Sequence, residues 1–89
     1  MTSPTHRHFW TYFDRLPGEI QARAREKYRL WQRDPFHPPL QFKLLVNHVW
    51  SVRIGPFHRA LARRSHGLVV WFWIGTHEEY NNLVQRLRL

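Results

Sequence analysis

Lys43, Arg53, His58, Arg59, His77 and Tyr80 carry side chains suited to phosphate chemistry without a metal. Breaking an RNA phosphodiester through its own 2′-hydroxyl requires three groups. A base takes the hydroxyl proton, cations hold the charge that builds on phosphorus, and an acid protonates the departing oxygen. Lys, Arg, His and Tyr supply all of them. Taken singly, each residue reads equally well as a surface charge or a hydrogen-bonded edge residue. Their concentration on a few neighbouring strands makes them a candidate set.

Other chemistries find little support. The chain has no Cys, which excludes disulfides, thiolate metal sites and thiol nucleophiles. No Ser-His-Asp arrangement, phosphate-cradling glycine loop or pair of catalytic carboxylates stands out. Seven His are present, but the close pair His6-x-His8 has a spacing that points the two rings apart on a helix. No carboxylate lies at ligand spacing to complete such a site. No metal and no cofactor are expected.

The elements that must position the candidate set follow from periodicity. Ser3-Pro4 reads as an N-cap followed by Pro at the first helical position. Phe9, Phe13 and Leu16 then mark one face of a short helix that Pro17 ends. Pro17 also opens a second helix, with Glu19 in its first turn. Ile20, Ala24, Tyr28 and Trp31 line its inner face, and Arg23, Arg25, Arg29 and Arg33 lie mostly outside it. That helix should stop near Asp34-Pro35.

Beyond the stiff segment holding Pro35, Pro38 and Pro39, the period changes to two. Phe42, Leu44 and Val46 alternate with Gln41, Lys43 and Leu45. Trp50, Val52 and Ile54 alternate with Val49, Ser51 and Arg53. Asn47-His48 forms the turn between them. A third strand over residues 57–64 follows the Gly55-Pro56 break, and Ser65-His66-Gly67 turns it into a fourth. The fourth, residues 68–74, is apolar on both faces, the pattern of a central strand covered on both sides. Trp71 and Trp73 should share a face opposite Leu68, Val70, Phe72 and Ile74, either beneath the last helix or as a patch for a partner. Thr76 can cap that last helix, whose inner face holds Tyr80, Leu83, Val84 and Leu87.

The expected fold is α+β: two N-terminal helices packed on a four-stranded antiparallel sheet, plus a C-terminal helix, in one domain over residues 1–89. Phe42, Trp50, Val52, Ile54, Phe72 and Ile74 should form one core with Phe9, Phe13, Ile20, Ala24 and Tyr28. On this pattern Lys43, Arg53 and Arg59 can share the polar face of the sheet, with His77 delivered from the end of the fourth strand. Arg53 and Arg59 would then hold a phosphate while Lys43 and His77 act near it.

Charge points the same way. There are 14 Lys and Arg against 6 Asp and Glu, a formal net charge of +8, and twelve of those cations are Arg. Arginine's planar fork of donors suits phosphate and carboxylate alike, so a nucleic acid or an acidic protein is the expected partner, unless the balance reflects only a compositional bias toward Arg. The longest apolar run is too short to span a bilayer, and the N-terminus lacks the apolar core of a signal peptide, so the cytoplasm is the expected compartment.

Four segments resemble the RelE/ParE superfamily of toxins from type II toxin–antitoxin systems. Phe9-Trp10 with Leu16-Pro17 is similar to the family's N-terminal helix. His37-Pro38-Pro39-Leu40-Gln41-Phe42-Lys43 resembles its "HPSLxFK" entry into the sheet. Trp50-Ser51-Val52-Arg53-Ile54-Gly55 followed by His58-Arg59-Ala60-Leu61 resembles "YSVRIG…YRAL". Trp71-Phe72-Trp73-Ile74-Gly75-Thr76-His77-Glu78-Glu79-Tyr80 is similar to "WFWIGTHxEY". The resemblance implies a curved antiparallel sheet with two helices against one face. It implies ribosome-associated mRNA cleavage or, in some members, poisoning of DNA gyrase; a domain that has lost toxicity and only binds a partner is a further alternative. It implies a cognate antitoxin, and operator DNA bound only through the antitoxin complex. By matching position, Lys43, Arg53 and Arg59 would contact phosphate, together with His58, and His77 or Tyr80 would be the acid–base group. Trp71 and Trp73 would meet the antitoxin. The sequence departs from the pattern at His58, where the family usually has Tyr, and at His77, where many of the nucleases have Arg or Lys. The family's leading strand before the first helix is not evident.

Overall fold

A computed structural model of the chain describes residues 4–87. The element order is α1 (Arg7–Asp14), α2 (Gly18–Arg33), a short 3₁₀ turn (Pro38–Leu40), β1 (Lys43–Val46), β2 (Val49–Gly55), β3 (His58–Ser65), β4 (Leu68–Thr76) and α3 (His77–Leu87). The strands form one antiparallel sheet in the order β1-β2-β3-β4. This is the α+β arrangement expected from the periodicity.

The local chemistry explains the joints. Pro17 sits at the N-cap of α2 and Glu19 in its first turn, where a carboxylate meets the positive end of the helix dipole. Asn47 (φ 50°) turns β1 into β2, a left-handed conformation that Asn tolerates better than most residues. His66 (φ 54°) and Gly67 (φ 79°) make the two-residue turn from β3 to β4, which needs positive φ at both positions.

The sheet has an apolar layer on each face. On the first, α1 and α2 press Phe13, Ala24 and Trp31 against Phe42, Val52, Ile54, Ala60, Ala62, Trp71 and Ile74. On the second, α3 presses Tyr80 and Val84 against Val49, Leu61 and Trp73.

Four expectations need correcting. Helix α1 starts at Arg7, not at Pro4; His6 is its N-cap, and its imidazole Nδ1 accepts the His8 N–H at 3.2 Å. Ser3 lies outside the described residues. Strand β4 is not central but last in the sheet. Its outer edge is occupied by the segment before α1: Thr5 makes a parallel bridge to Trp71, His6 N–H donates to Trp71 O and Trp71 N–H to Pro4 O. Apolar cover on both faces therefore came from helices on either side, not from a central position. Trp71 and Trp73 do not share a face. Trp71 pairs with Ala62 and Trp73 with Leu61, so Phe72 is an extra, bulged residue that reverses the alternation. Trp71 consequently faces α2 and Trp73 faces α3, and Phe72 packs with the α3 layer instead of the core assigned to it. Finally, Leu44 is exposed, although the alternation matched it to Phe42 and Val46. The ladder shifts register between Leu44 and Val46, and β1 is a short edge strand there.

Candidate active site

The face of the sheet that carries α3 also carries the candidate cations. In the β2–β3 register Arg53 lies directly opposite Arg59, and Ser51 opposite Leu61. In the β1–β2 register Lys43 lies opposite Ser51. With alternation of side chains, Lys43, Arg53 and Arg59 stand on one face across three adjacent strands. Lys43 is exposed, and Arg53 and Arg59 are half-buried.

Two arginines directly opposite one another on an antiparallel pair repel. The fold tolerates this because Arg59 turns back on the hairpin: its Nη1 donates to Gly55 O at 2.7 Å and to His58 O at 2.9 Å. Burial, and then Arg53, hold its pKa below the ordinary guanidinium value, against the influence of Tyr80. An anion bound between the two guanidinium groups would remove the repulsion. The placement therefore favours a phosphate, and it also gives Arg59 a structural duty that the sequence did not reveal.

The remaining candidates gather at the end of β4. His58 pairs with Thr76 across the β3–β4 ladder. His77 is the first residue of α3, and its backbone N–H donates to Phe57 O in the β2–β3 turn at 2.7 Å. Its ring Nδ1 lies 3.2 Å from the Asn81 side-chain amide, and its ring centroid is 5.6 Å from that of Tyr80. Tyr80 is buried, with its ring in the α3 layer. The structure thus brings Arg53, Arg59, His58, His77 and Tyr80 to one end of the sheet. Lys43 stands two strands away from Arg59 and two residues along the ladder, about 12 Å by strand spacing and rise.

Glu79 was missed. Its Oε1 accepts the Thr76 N–H at 3.0 Å and the Thr76 hydroxyl at 2.9 Å, while Thr76 Oγ1 accepts the Glu79 N–H at 3.1 Å. This is a reciprocal capping box, legible in the sequence as Thr76-His77-Glu78-Glu79. It fixes the junction that presents His77. Gly75 is part of the same junction. A Cβ there would fall 2.6 Å from the Trp73 ring and 3.0 Å from Glu79 Oε1. Arg23 is exposed, as the helical pattern has it, and its guanidinium also rests on the β2–β3 turn, where a Cβ on Gly55 would be 2.8 Å from Nη1.

Two neighbouring groups make stability at this end of the sheet depend on pH. Burial, then Arg23, lowers the His58 pKa from its ordinary 6.5, with Glu79 opposing. Thr76, through its backbone and then its side chain, lowers the Glu79 pKa from 4.5; burial opposes, and Arg15 and His58 assist. In both cases the unfolded chain takes up its proton first on acidification. Stability present above pH 6.5 should therefore fall as His58 is titrated in the unfolded chain. A second loss should begin below pH 4.5 and run through the folded pKa of Glu79. Thermal melts from pH 8 down to about pH 3 should show the two steps, and His58→Gln should remove the first alone. A Tm that rises between pH 7 and 5 would contradict the assignment.

Trp71 (4% exposed) and Trp73 (8%) cannot form one patch. Trp73 is covered by α3, whereas Trp71 lines a groove of about 370 Å³ between α1 and α2, with Phe9, Phe13 and Trp31. The indole N–H groups of Trp31 and Trp71 have no hydrogen-bond partner. Among the described residues, no group of three or more His, Asp or Glu is placed to hold a metal ion, and no helix is long and apolar enough to cross a membrane.

An antiparallel sheet between an N-terminal helical pair and a C-terminal helix is the fold of the RelE-type toxins. It superposes on a chain of the RelB–RelE antitoxin–toxin complex of Methanococcus jannaschii with a TM-score of 0.73 at 11% identity, covering 90% of this chain and 96% of that chain. YafQ of Escherichia coli gives 0.71 at 9% identity, over 89% and 96%. The YoeB/ParE toxin of Agrobacterium tumefaciens gives 0.66 at 20% identity, over 86% and 99%. The family model of the ParE-like toxin domain matches residues 18–82, and the chain belongs to that family, within the RelE/ParE superfamily of toxin–antitoxin toxins. No curated protein matches it.

Proposed function

We propose that this toxin is a metal-independent RNA endonuclease that stops translation by cutting mRNA, in association with the ribosome, and that residues 1–89 form one toxin domain. The observation that carries the reading is the cross-strand pair Arg53 and Arg59, with Lys43 on the same face and His77 and Tyr80 at its end. In the mechanism, Arg53 and Arg59 hold the scissile phosphate and stabilise the added charge of the phosphorane. Lys43 supplies a further cation, and His58 contacts the backbone alongside. The His77 imidazole is the proton-transfer group, its Nδ1 3.2 Å from the Asn81 side-chain amide and its ring 5.6 Å from that of Tyr80, which is the alternative acid. No cofactor enters these steps.

The partner is a cognate antitoxin, as in the RelB complexes of two related structures. It reaches Trp71 through the α1–α2 groove; Trp73, beneath α3, is contacted only if α3 moves. Operator DNA is bound through that complex. The ParE-like character of the family match favours a second reading, poisoning of DNA gyrase. One experiment separates them: expression of the toxin with and without its antitoxin, read by RNA integrity and plasmid supercoiling. Cleaved mRNA with normal supercoiling is expected. Intact mRNA with altered supercoiling would transfer the assignment to gyrase.

A further inference from the structure

We propose that the cleft between α2 and the open edge of β2 is a second phosphate-binding subsite, which holds a backbone phosphate of the same RNA strand beyond the Arg53–Arg59 pair. The inference rests on the RNA reading above and extends it to residues outside the proposed catalytic set.

The cleft follows from unequal strand lengths. β1 begins at Lys43, which pairs with Ser51, whereas β2 runs on to Gly55. Residues 52–55 therefore have no strand on that side. The opening is bounded by Arg23, Glu26 and Lys27 of α2, by Pro39 of the 3₁₀ turn, and by Arg53 to Pro56 themselves, and its volume is about 500 Å³. Three cations line it against one carboxylate. Arg23, Glu26 and Lys27 are three and four residues apart on α2 and share one helix face.

Two of the cations are placed with some precision. The Arg23 side chain lies on the backbone of Gly55, closely enough that a Cβ there would meet its Nη1 at 2.8 Å and its Cδ at 3.3 Å. Its charge acts on His58 across the turn, which shows how near the cleft is to the catalytic end. Arg53 lines the cleft and also stands opposite Arg59. A strand held between Arg53 and Arg59 can thus continue over the turn into the cleft with Arg53 as the common contact. No aromatic ring lines the cleft, so nothing in it would stack on a base. Its cations suit phosphate, which contributes affinity and register without sequence preference.

The test measures binding of the purified chain to a fluorescein-labelled 2′-O-methyl RNA oligonucleotide, which lacks the nucleophile for cleavage, over a range of NaCl concentrations. One lost phosphate contact on single-stranded nucleic acid reduces the slope of log K against log salt by about 0.7. The Arg23→Gln/Lys27→Gln double variant should be shallower than the parent by about that amount, on oligonucleotides of any sequence. Lys27→Gln alone should move it in the same direction, which guards against a folding defect from Arg23. Arg33→Gln, at the end of α2 and outside the cleft, should keep the parental slope. Parental slopes in folded double and Lys27 variants would overturn the subsite, and if the parent also cleaves unmodified RNA, the subsite alone falls. A shallower slope in the double variant while the parent cleaves no RNA would keep the phosphate subsite and remove the nuclease reading. Loss of antitoxin affinity with an unchanged RNA slope would show a protein contact instead, and overturn the proposal. Parental binding indifferent to salt would overturn both.

Discussion

Arg53→Ala should slow RNA cleavage by about 10²–10³-fold, the usual loss when one electrostatic contact to the transition state is removed. Cells expressing the variant without antitoxin should grow. The protein itself should melt at the parental temperature or slightly above. Arg53 is half-buried, and the two bonds that brace the β2–β3 turn come from Arg59. Removing Arg53 also removes a like charge directly opposite Arg59, which relieves repulsion across the ladder. Arg59→Ala should differ in kind. It loses the same chemistry and two charge-assisted bonds to backbone carbonyls, which costs about 1–3 kcal/mol of stability. Cleavage rates of the purified variants beside their thermal melts distinguish the two arginines. Full activity in Arg53→Ala would remove the proposed site, whatever the result at Arg59. Arg33→Ala is the suitable control; Arg23, which rests on Gly55, is not.

Trp31→Ala should cost about 3–5 kcal/mol, the range for removing a buried large aromatic. The ring is 1% exposed and is packed against Tyr28 at 6.0 Å, Phe42 at 5.7 Å and Trp71 at 5.2 Å between centroids. It joins α2 to both the entry of β1 and the last strand. Net stabilities of domains are about 5–15 kcal/mol, so the loss is a large part of the whole. The melting temperature should drop by more than about 12 °C. Trp31→Phe should lose much less. It retains a ring in the cluster and eliminates an indole N–H that has no partner in the fold. Melts of the two variants by circular dichroism are the check. An alanine variant within 5 °C of the parent would mean that the ring is not the centre of the core.

The sequence disclosed most of the frame because much of it is written in simple periods. Ile20, Ala24, Tyr28 and Trp31 repeat at helical spacing between Pro17 and Asp34-Pro35, and α2 is found there. The turns at Asn47 and at His66-Gly67 declare themselves by residue type. The shared face of Arg53 and Arg59 follows from alternation away from Val52 and Ile54. Where alternation carries no signal, the reading failed. Residues 68–74 are all apolar, so nothing in them marks the extra residue at Phe72 or reveals that Trp71 and Trp73 diverge. The same uniformity hid the edge position of β4, since cover by helices on both faces produces the pattern of a central strand. The bonds from Arg59 to Gly55 O and His58 O depend on how a long side chain folds over a turn, which no spacing encodes. Glu79 was legible as half of a capping box but was passed over for the more reactive His77 beside it.

The bridge from Thr5 to Trp71 also bears on how the molecule avoids its own kind. β4 is nine residues long and largely apolar, and a strand of that length with a bare edge is a template for edge-to-edge association and aggregation. The backbone of Pro4, Thr5 and His6 occupies part of that edge, and Pro4 has no N–H to offer a further strand. At the opposite side of the sheet, β1 is only four residues long and begins with an exposed Lys. A short charged strand on one side and a proline-led strap on the other shield part of each outer edge among the described residues. Shortening the chain to begin at Arg7 would keep every residue of the proposed site while uncovering this adhesive edge.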